Sequence, residues 1–76
     1  MSNAADILQG LGGKENIDLL ESCITRLRVQ VKDVDKLDED ALHMDGVYGV
    51  VVSGHVVQVV VGPVAEQLTE EMQTLL

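Results

Sequence analysis

The stretch Thr25-Arg26-Leu27-Arg28-Val29-Gln30-Val31 decides the fold, because two kinds of side chain alternate along it. Successive side chains of a β-strand point to opposite faces of the sheet. The threonine and the three apolar residues therefore share one face, and the two arginines and the glutamine share the other. The pattern predicts a half-buried strand over 25–31, with one face on a core and the other face open.

Two elements precede this strand. Apolar residues recur at helical spacing over 5–11 and Gly12-Gly13 follows, which predicts a short helix that ends where a glycine enters the left-handed region. The segment 17–21 predicts a strand, although Leu19-Leu20 disturbs its alternation. Cys23 is then expected in the link between the two strands.

A helix and a hairpin follow. Within 33–46, Asp38 is placed to cap a helix that ends at Gly46 and turns three side chains toward the core: Leu37, Ala41 and Leu42. Valine-rich segments at 49–52 and 56–61 flank a connection that contains glycine. This pattern predicts a β-hairpin.

Pro63 suits the first turn of a final helix. An apolar stripe follows at helical spacing, formed by Val64, Leu68, Met72 and Leu75. The predicted order of elements is αββαββα. Short connections and hairpins favour a four-stranded antiparallel sheet with three helices on one face, so we predict an α+β fold, a two-layer sandwich.

The composition bounds the class of protein. The chain has 76 residues and a formal net charge of -8, with Tyr48 as its one residue of the Phe, Tyr and Trp types. An acidic chain without stacking aromatics is a poor ligand for nucleic acid. No apolar run approaches the length of a membrane span, so we expect no direct membrane insertion. We interpret residues 1–4 as an expression scar and 5–76 as a single domain.

Cys23 and two arginines form the candidate site. The thiolate is the nucleophilic form of a cysteine, and guanidinium forks can hold a phosphate bidentately. Arg26 and Arg28 share one face of the predicted strand, and Cys23 lies just ahead of them. The backbone N–H groups of Ile24, Thr25 and Arg26 can form an anion-binding nest there. A single cysteine also suits a reducing, cytoplasmic compartment.

Spacing alone leaves a structural interpretation open. A lone cysteine is most often a small buried hydrophobe, and alternate arginines on a strand are most often a solvated face. His43 and His55 are interpreted as surface residues. No Cys/His spacing indicates a zinc site and no glycine pattern indicates a nucleotide site, so we expect neither a metal nor a cofactor.

A longer motif favours the reactive interpretation. Asn16-Ile17 followed by Ser22-Cys23-Ile24-Thr25-Arg26-Leu27-Arg28-Val29 resembles the phosphorylation signature of enzyme IIB domains of the bacterial phosphoenolpyruvate-dependent sugar phosphotransferase system. The likeness is to the glucose/N-acetylglucosamine/sucrose superfamily. Gly49-Val50-Val51 and Val57-Gln58-Val59-Val60-Val61-Gly62 resemble that family's third and fourth strands. The similarity runs from about residue 5 to the end of the chain.

The resemblance implies a split α/β sandwich that works as a phosphocarrier. Cys23 would accept a phosphoryl group from a phosphohistidine of the IIA component and pass it to a sugar held by the membrane IIC component. Arg26 and Arg28 would assist the transfer and face the partners, and Ile24 and Thr25 would supply the backbone cradle. The domain would lie at the cytoplasmic side of the bacterial inner membrane.

Ile24, Arg26, Arg28 and Gln58 are the candidate partner-binding residues, Gln58 because it is polar among valines. Two other classes stay open. A small sheet with one open face can serve as a non-catalytic regulatory or ligand-binding module. A thiol redox switch is also compatible with an arginine-flanked cysteine, although the chain lacks a resolving cysteine. We expect a monomeric domain, and the sugar stays open among glucose, N-acetylglucosamine, maltose, sucrose, trehalose and β-glucosides.

Overall fold

The structure is a computed structural model that describes residues 3–76. In chain order, its main elements are helix α1 (Ala4–Gly10), strands β1 (Ile17–Cys23) and β2 (Arg26–Val31), helix α2 (Glu39–Leu42), strands β3 (Gly49–Ser53) and β4 (Val56–Val60), and helix α3 (Ala65–Gln73). Short 3-10 helices lie at Lys14–Asn16, Val34–Lys36 and Gly62–Val64. The predicted order αββαββα and the α+β class are therefore confirmed.

The four strands form one antiparallel sheet in the order β1-β2-β4-β3. Ile24-Thr25 joins β1 to β2, and Gly54-His55 joins β3 to β4, so the sheet is built from two hairpins that meet along β2 and β4. Helix α3 contacts β1 and β2, and α1 packs against α3 and α2. One face of the sheet is thus covered by helices, as predicted.

The core lies between the sheet and the helices. Alternate residues of the central strands are buried there: Leu27, Val29 and Val31 from β2, and Val57 and Val59 from β4. The helices and their ends contribute Ile7, Leu11, Leu42, Leu68 and Met72. Burial of each such side chain contributes roughly 1.5–3 kcal/mol. Arg26, Arg28 and Gln30 are exposed on the other face of β2, so the predicted alternation is confirmed.

The first hairpin differs in detail from the prediction. Strand β1 extends to Cys23, and the paired residues Cys23 and Arg26 leave only two residues for the turn. Cys23 is therefore the last residue of a strand, not part of a longer link, and Thr25 lies in the turn instead of β2. The ladder extends because a two-residue connection lets antiparallel strands pair up to the turn itself.

The helices also differ in detail. Asp38 caps α2 as predicted, its Oδ1 accepting from Ala41 N at 3.1 Å, but that helix has only four residues. So short a helix turns one side to the core, where Leu42 is buried, and Ala41 is exposed instead. In the last helix Leu68 and Met72 are buried as predicted, whereas Val64 and Leu75 lie outside Ala65–Gln73 and are exposed.

Of the first four residues of the chain, which were interpreted as an expression scar, the structure describes Asn3 and Ala4. Met1 and Ser2, half of the proposed expression scar, lie outside the described residues. Asn3 Nδ2 donates to Asp45 O at 2.7 Å, and Ala4 is buried at the first position of α1. The helix therefore begins one residue earlier than predicted, and the origin of residues 1–4 stays a prediction.

Asn16 is a buried polar side chain that joins two loops to the start of β1. Its Nδ2 donates to Leu11 O at 2.7 Å and to Asp33 O at 3.0 Å, and its Oδ1 accepts from Asp33 N at 2.9 Å. Gly12 leaves room for this amide, because a Cβ at Gly12 would lie 2.6 Å from Asn16 Nδ2. The side chain thus fixes the segments before β1 and after β2 relative to each other.

Asn16→Ala is expected to lower the free energy of unfolding by about 2 kcal/mol, because it removes three hydrogen bonds and leaves their backbone partners poorly satisfied. Urea unfolding followed by circular dichroism measures this change. The exposed Gln67 on α3 supplies the control, since Gln67→Ala is expected to change stability by less than about 0.5 kcal/mol. Equal stability of Asn16→Ala and the control variant would contradict the structural role of Asn16.

Candidate functional site

The turn after Cys23 has an unusual backbone. Among residues 3–76, Ile24 is the one non-glycine residue with a positive φ, 55°. A β-branched residue in this region is strained, at a cost of about 1–2 kcal/mol. Ile24 is also 88% exposed, so burial of its side chain does not offset that strain. Strained residues of this kind cluster at functional sites.

The segment between β4 and α3 holds this turn in place. Thr25 O accepts two backbone hydrogen bonds, from Val61 N and Gly62 N, both at 2.9 Å. Gly62 adopts a φ of 76°, and a Cβ there would lie 3.2 Å from Tyr48 Cε2. Glycine thus permits both the backbone conformation and the close approach of the ring. This anchoring role of Gly62 was not predicted from the sequence. Its only signal there is the position of Gly62 between a predicted strand and Pro63.

The register places the candidate residues in two neighbouring rows on the open face of the sheet. Cys23 lies opposite Arg26 across β1 and β2. In the next row Arg28 lies between Glu21 of β1 and Gln58 of β4. The two arginines and the cysteine are all exposed, and the thiol of Cys23 is free. A reactant approaching this face therefore meets the sulfur and both guanidinium groups.

The two arginines have different partners. Arg26 Nη1 donates to Gln58 Oε1 at 2.8 Å, which orients a guanidinium group without neutralising it. Arg28 Nε lies 3.9 Å from Glu21 Oε1, in a pair whose side chains are about half exposed. An exposed ion pair of this kind contributes little to stability, about 0–1 kcal/mol.

A shallow depression of about 210 Å³ collects the predicted site residues: Cys23, Ile24, Thr25, Arg26, Arg28 and Gln58. Every residue proposed from the sequence for catalysis, phosphate binding or partner binding lines it. Arg26 and Arg28 give this depression two positive charges beside the sulfur. The individual roles of its residues stay predictions.

The histidines lie away from this depression. His43 and His55 are exposed, as expected, and His55 Nδ1 lies 3.1 Å from Val31 O near the other end of β2. In the part of the chain that the structure describes, no three His, Cys, Asp or Glu side chains are grouped so that they could hold a metal ion. No helix among residues 3–76 is long and apolar enough to cross a membrane.

Comparison with known proteins gives one consistent family. The family model described as phosphotransferase system, EIIB matches residues 5–38. The N-acetylglucosamine-specific EIIB component of a Streptomyces coelicolor PTS system is 44% identical over 75 residues, which cover 99% of this chain and 97% of that protein. The alpha-glucoside-specific EIICB component of Leptotrichia buccalis is 47% identical over 73 residues, which cover 95% of this chain and 14% of that protein.

A solved structure has the same fold. It is the crystal structure of one domain of the PTS system IIabc component from Clostridium difficile, which matches with a TM-score of 0.68 and 29% sequence identity. The match covers 95% of this chain and 74% of that one. Relatives thus include a separate component of nearly the same length and domains carried in multidomain components.

Proposed function

Because the chain belongs to the EIIB family of the phosphotransferase system, whose members are transferases in sugar phosphotransfer, we propose that it is a phosphocarrier with Cys23 as its phosphoryl acceptor. It accepts the group from a phosphohistidine of a IIA component and passes it to a sugar bound by a membrane IIC component. One observation carries this proposal. The exposed free thiol of Cys23 lies in one depression with two arginines and a strained turn.

Both steps are phosphoryl transfers between heteroatoms. In the first step Cys23 Sγ attacks phosphorus, the S–P bond forms and the P–N bond of the donor histidine breaks. The thiol proton passes to solvent, and the imidazole leaves with the bonding pair. In the second step a sugar hydroxyl attacks phosphorus, the S–P bond breaks, sulfur leaves as the thiolate and the hydroxyl proton is released.

Arg26 and Arg28 stabilise the charge that develops on the transferred group. Assistance to phosphoryl transfer consists mostly of positioning and of donors aimed at the equatorial oxygens. Arg26 is already oriented by Gln58 and lies opposite Cys23. The backbone N–H groups of Ile24 and Thr25 add a cradle around the group on sulfur, whereas the Arg26 N–H is used in the pairing of Arg26 with Cys23 across the two-residue turn.

The open position of the site suits two successive partners. Ile24 presents an apolar side chain that is 88% exposed beside the sulfur. Arg26, Arg28 and Gln58 surround it with polar groups, so a partner can dock on all four residues over a small area. Small, partly polar contacts are typical of transient encounters. A deep pocket would exclude one partner or the other.

As a phosphocarrier, the chain acts at the cytoplasmic side of the bacterial inner membrane, next to its IIC component. The similar proteins are named for N-acetylglucosamine and for alpha-glucoside at 44% and 47% identity. Nearly equal similarity to components named for different sugars favours a carrier that does not choose the sugar. We therefore assign that choice to the IIC component.

The test is transfer of radiolabelled phosphate in two stages. Phosphorylated IIA is mixed with the chain, and vesicles that contain a IIC component and sugar are then added. The label is expected to move from IIA to the chain and then to the sugar. A chain that stays unlabelled would instead favour a regulatory or ligand-binding module. Sugar labelled equally well without the chain would also overturn the proposal.

A further inference from the structure

The charge of Glu21 distinguishes the two arginine contacts of the site. Gln58 is neutral and accepts from Arg26 Nη1 at 2.8 Å. Glu21 carries a carboxylate, and its Oε1 lies 3.9 Å from Arg28 Nε. A neutral acceptor leaves the full charge of Arg26 available to an anion. The carboxylate instead offsets the charge of Arg28 before any phosphoryl group arrives.

Glu21 also lies on the same face as the sulfur. It precedes Cys23 by two positions in β1, so their side chains point to one side of the sheet at roughly 7 Å between Cα atoms. Arg28 lies opposite Glu21 and, one row away, is the diagonal neighbour of Cys23. Diagonal neighbours are within reach of long side chains. Arg28 can therefore contact either the Glu21 carboxylate or a group on Cys23 Sγ.

We propose that Glu21 is a positioning residue that competes with the phosphoryl group for Arg28 and thereby keeps phosphocysteine easy to transfer. This inference rests on the proposed function. A phosphoryl group carries about -1.5 to -2 charges and attracts Arg28 more strongly than one carboxylate does. The Glu21–Arg28 pair is 50% and 53% exposed, so the arginine exchanges partners at little cost.

Two effects of Glu21 then act in the same direction. The Glu21–Arg28 ion pair must break before Arg28 binds the phosphoryl group, and this cost offsets part of the attraction between them. The released carboxylate also remains near the phosphoryl group as a like charge. Both effects make phosphocysteine less stable than the arginines alone would make it. A carrier needs this property, because a group bound too firmly would not pass to the sugar.

The same hairpin contains a matched control pair. Lys32 Nζ lies 4.0 Å from Asp18 Oδ1, and their side chains are 60% and 50% exposed. This pair has nearly the same length and exposure as Glu21–Arg28. It lies at the opposite end of the hairpin from Cys23. Glu21→Gln and Asp18→Asn therefore remove the same charge from similar pairs, but only the first variant changes the surroundings of the sulfur.

The experiment measures the equilibrium between phosphorylated IIA and the chain, and the rate at which the phosphoryl group returns to unphosphorylated IIA. Glu21→Gln is expected to raise the equilibrium constant for phosphorylation of the chain about fivefold, because a change of this size corresponds to the free energy of an exposed ion pair. The same variant is expected to slow the return step. Asp18→Asn is expected to match the wild type in both quantities. In an Arg28→Ala background, the effect of Glu21→Gln should become smaller.

Each other outcome overturns the inference. An unchanged or lowered equilibrium constant for Glu21→Gln would mean that the carboxylate does not compete for Arg28. Equal shifts of the equilibrium constant in Glu21→Gln and Asp18→Asn would mean that the effect comes from the net charge of the chain and not from the position of Glu21. In these cases the phosphocarrier function would stand, because the wild type still accepts the group. A wild-type chain that accepts no phosphoryl group would overturn both proposals together.

Discussion

Cys23→Ser is expected to abolish phosphoryl transfer from IIA to sugar and to leave the free energy of unfolding within about 0.5 kcal/mol of the wild type. The transfer is lost because a neutral hydroxyl is a weak nucleophile and an alkoxide is a poor leaving group, so both steps fail. Stability is retained because the Cys23 side chain is exposed and free. Label transfer and urea unfolding measure the two quantities.

The control for this variant is the neighbouring hydroxyl. Ser22 precedes Cys23 in β1, and its side chain points to the other face of the sheet. Ser22→Ala is therefore expected to retain transfer. Wild-type transfer by Cys23→Ser would exclude the sulfur as the acceptor. Unfolding of Cys23→Ser would instead show that the sulfur has a structural role.

Arg26→Lys is expected to slow transfer from IIA about a hundredfold, the usual effect of losing one preorganised donor to a developing anion. Lysine keeps the charge but loses the planar fork, and it loses the geometry in which Arg26 Nη1 binds Gln58 Oε1. The corresponding change at Arg28 is expected to slow transfer about tenfold, because Glu21 already offsets part of its charge. Single-turnover transfer rates measure both effects.

Two checks separate this role from a general effect of charge. Arg26 is exposed, so Arg26→Lys is expected to unfold at the same urea concentration as the wild type. Lys32 lies at the other end of the hairpin, and Lys32→Arg is expected to leave the rate unchanged. If Arg26→Lys transferred as fast as the wild type, the fork would not contribute to transfer.

Strand β2 was predictable because its information is local. The alternation over 25–31 indicates both the strand and its buried face, and the structure confirms both for Arg26–Val31. The helix expected within 33–46 was less predictable. Leu37 follows a 3-10 helix and Leu42 ends one short α-helix, yet both reach the core, so inward-facing leucines were compatible with much less helix than expected. Apolar spacing indicates which residues turn inward, but it does not determine helix length.

The residues that form the site were also predictable, because most of the information for them is local. Five of its residues, Cys23 to Arg26 and Arg28, lie in one short stretch of sequence. The contacts between strands were not predictable. Arg26 and Gln58 are 32 positions apart, and only the pairing of β2 with β4 brings them together.

The strained turn could not be read from the sequence either. Left-handed turn positions usually contain glycine or asparagine, whereas this one contains Ile24. Tertiary contacts maintain it, because Thr25 O is held by Val61 N and Gly62 N. A motif can therefore identify a turn as functional before its backbone conformation is known.

The most direct test of the phosphocarrier function is to locate the phosphoryl group after the chain is incubated with phosphorylated IIA. Phosphorus NMR identifies the type of bond, and mass spectrometry of peptides from the same sample identifies the residue. We predict a phosphorus–sulfur bond at Cys23 and no phosphoryl group at His43 or His55. A phosphoryl group on either histidine, or none on the chain, would contradict the proposed function.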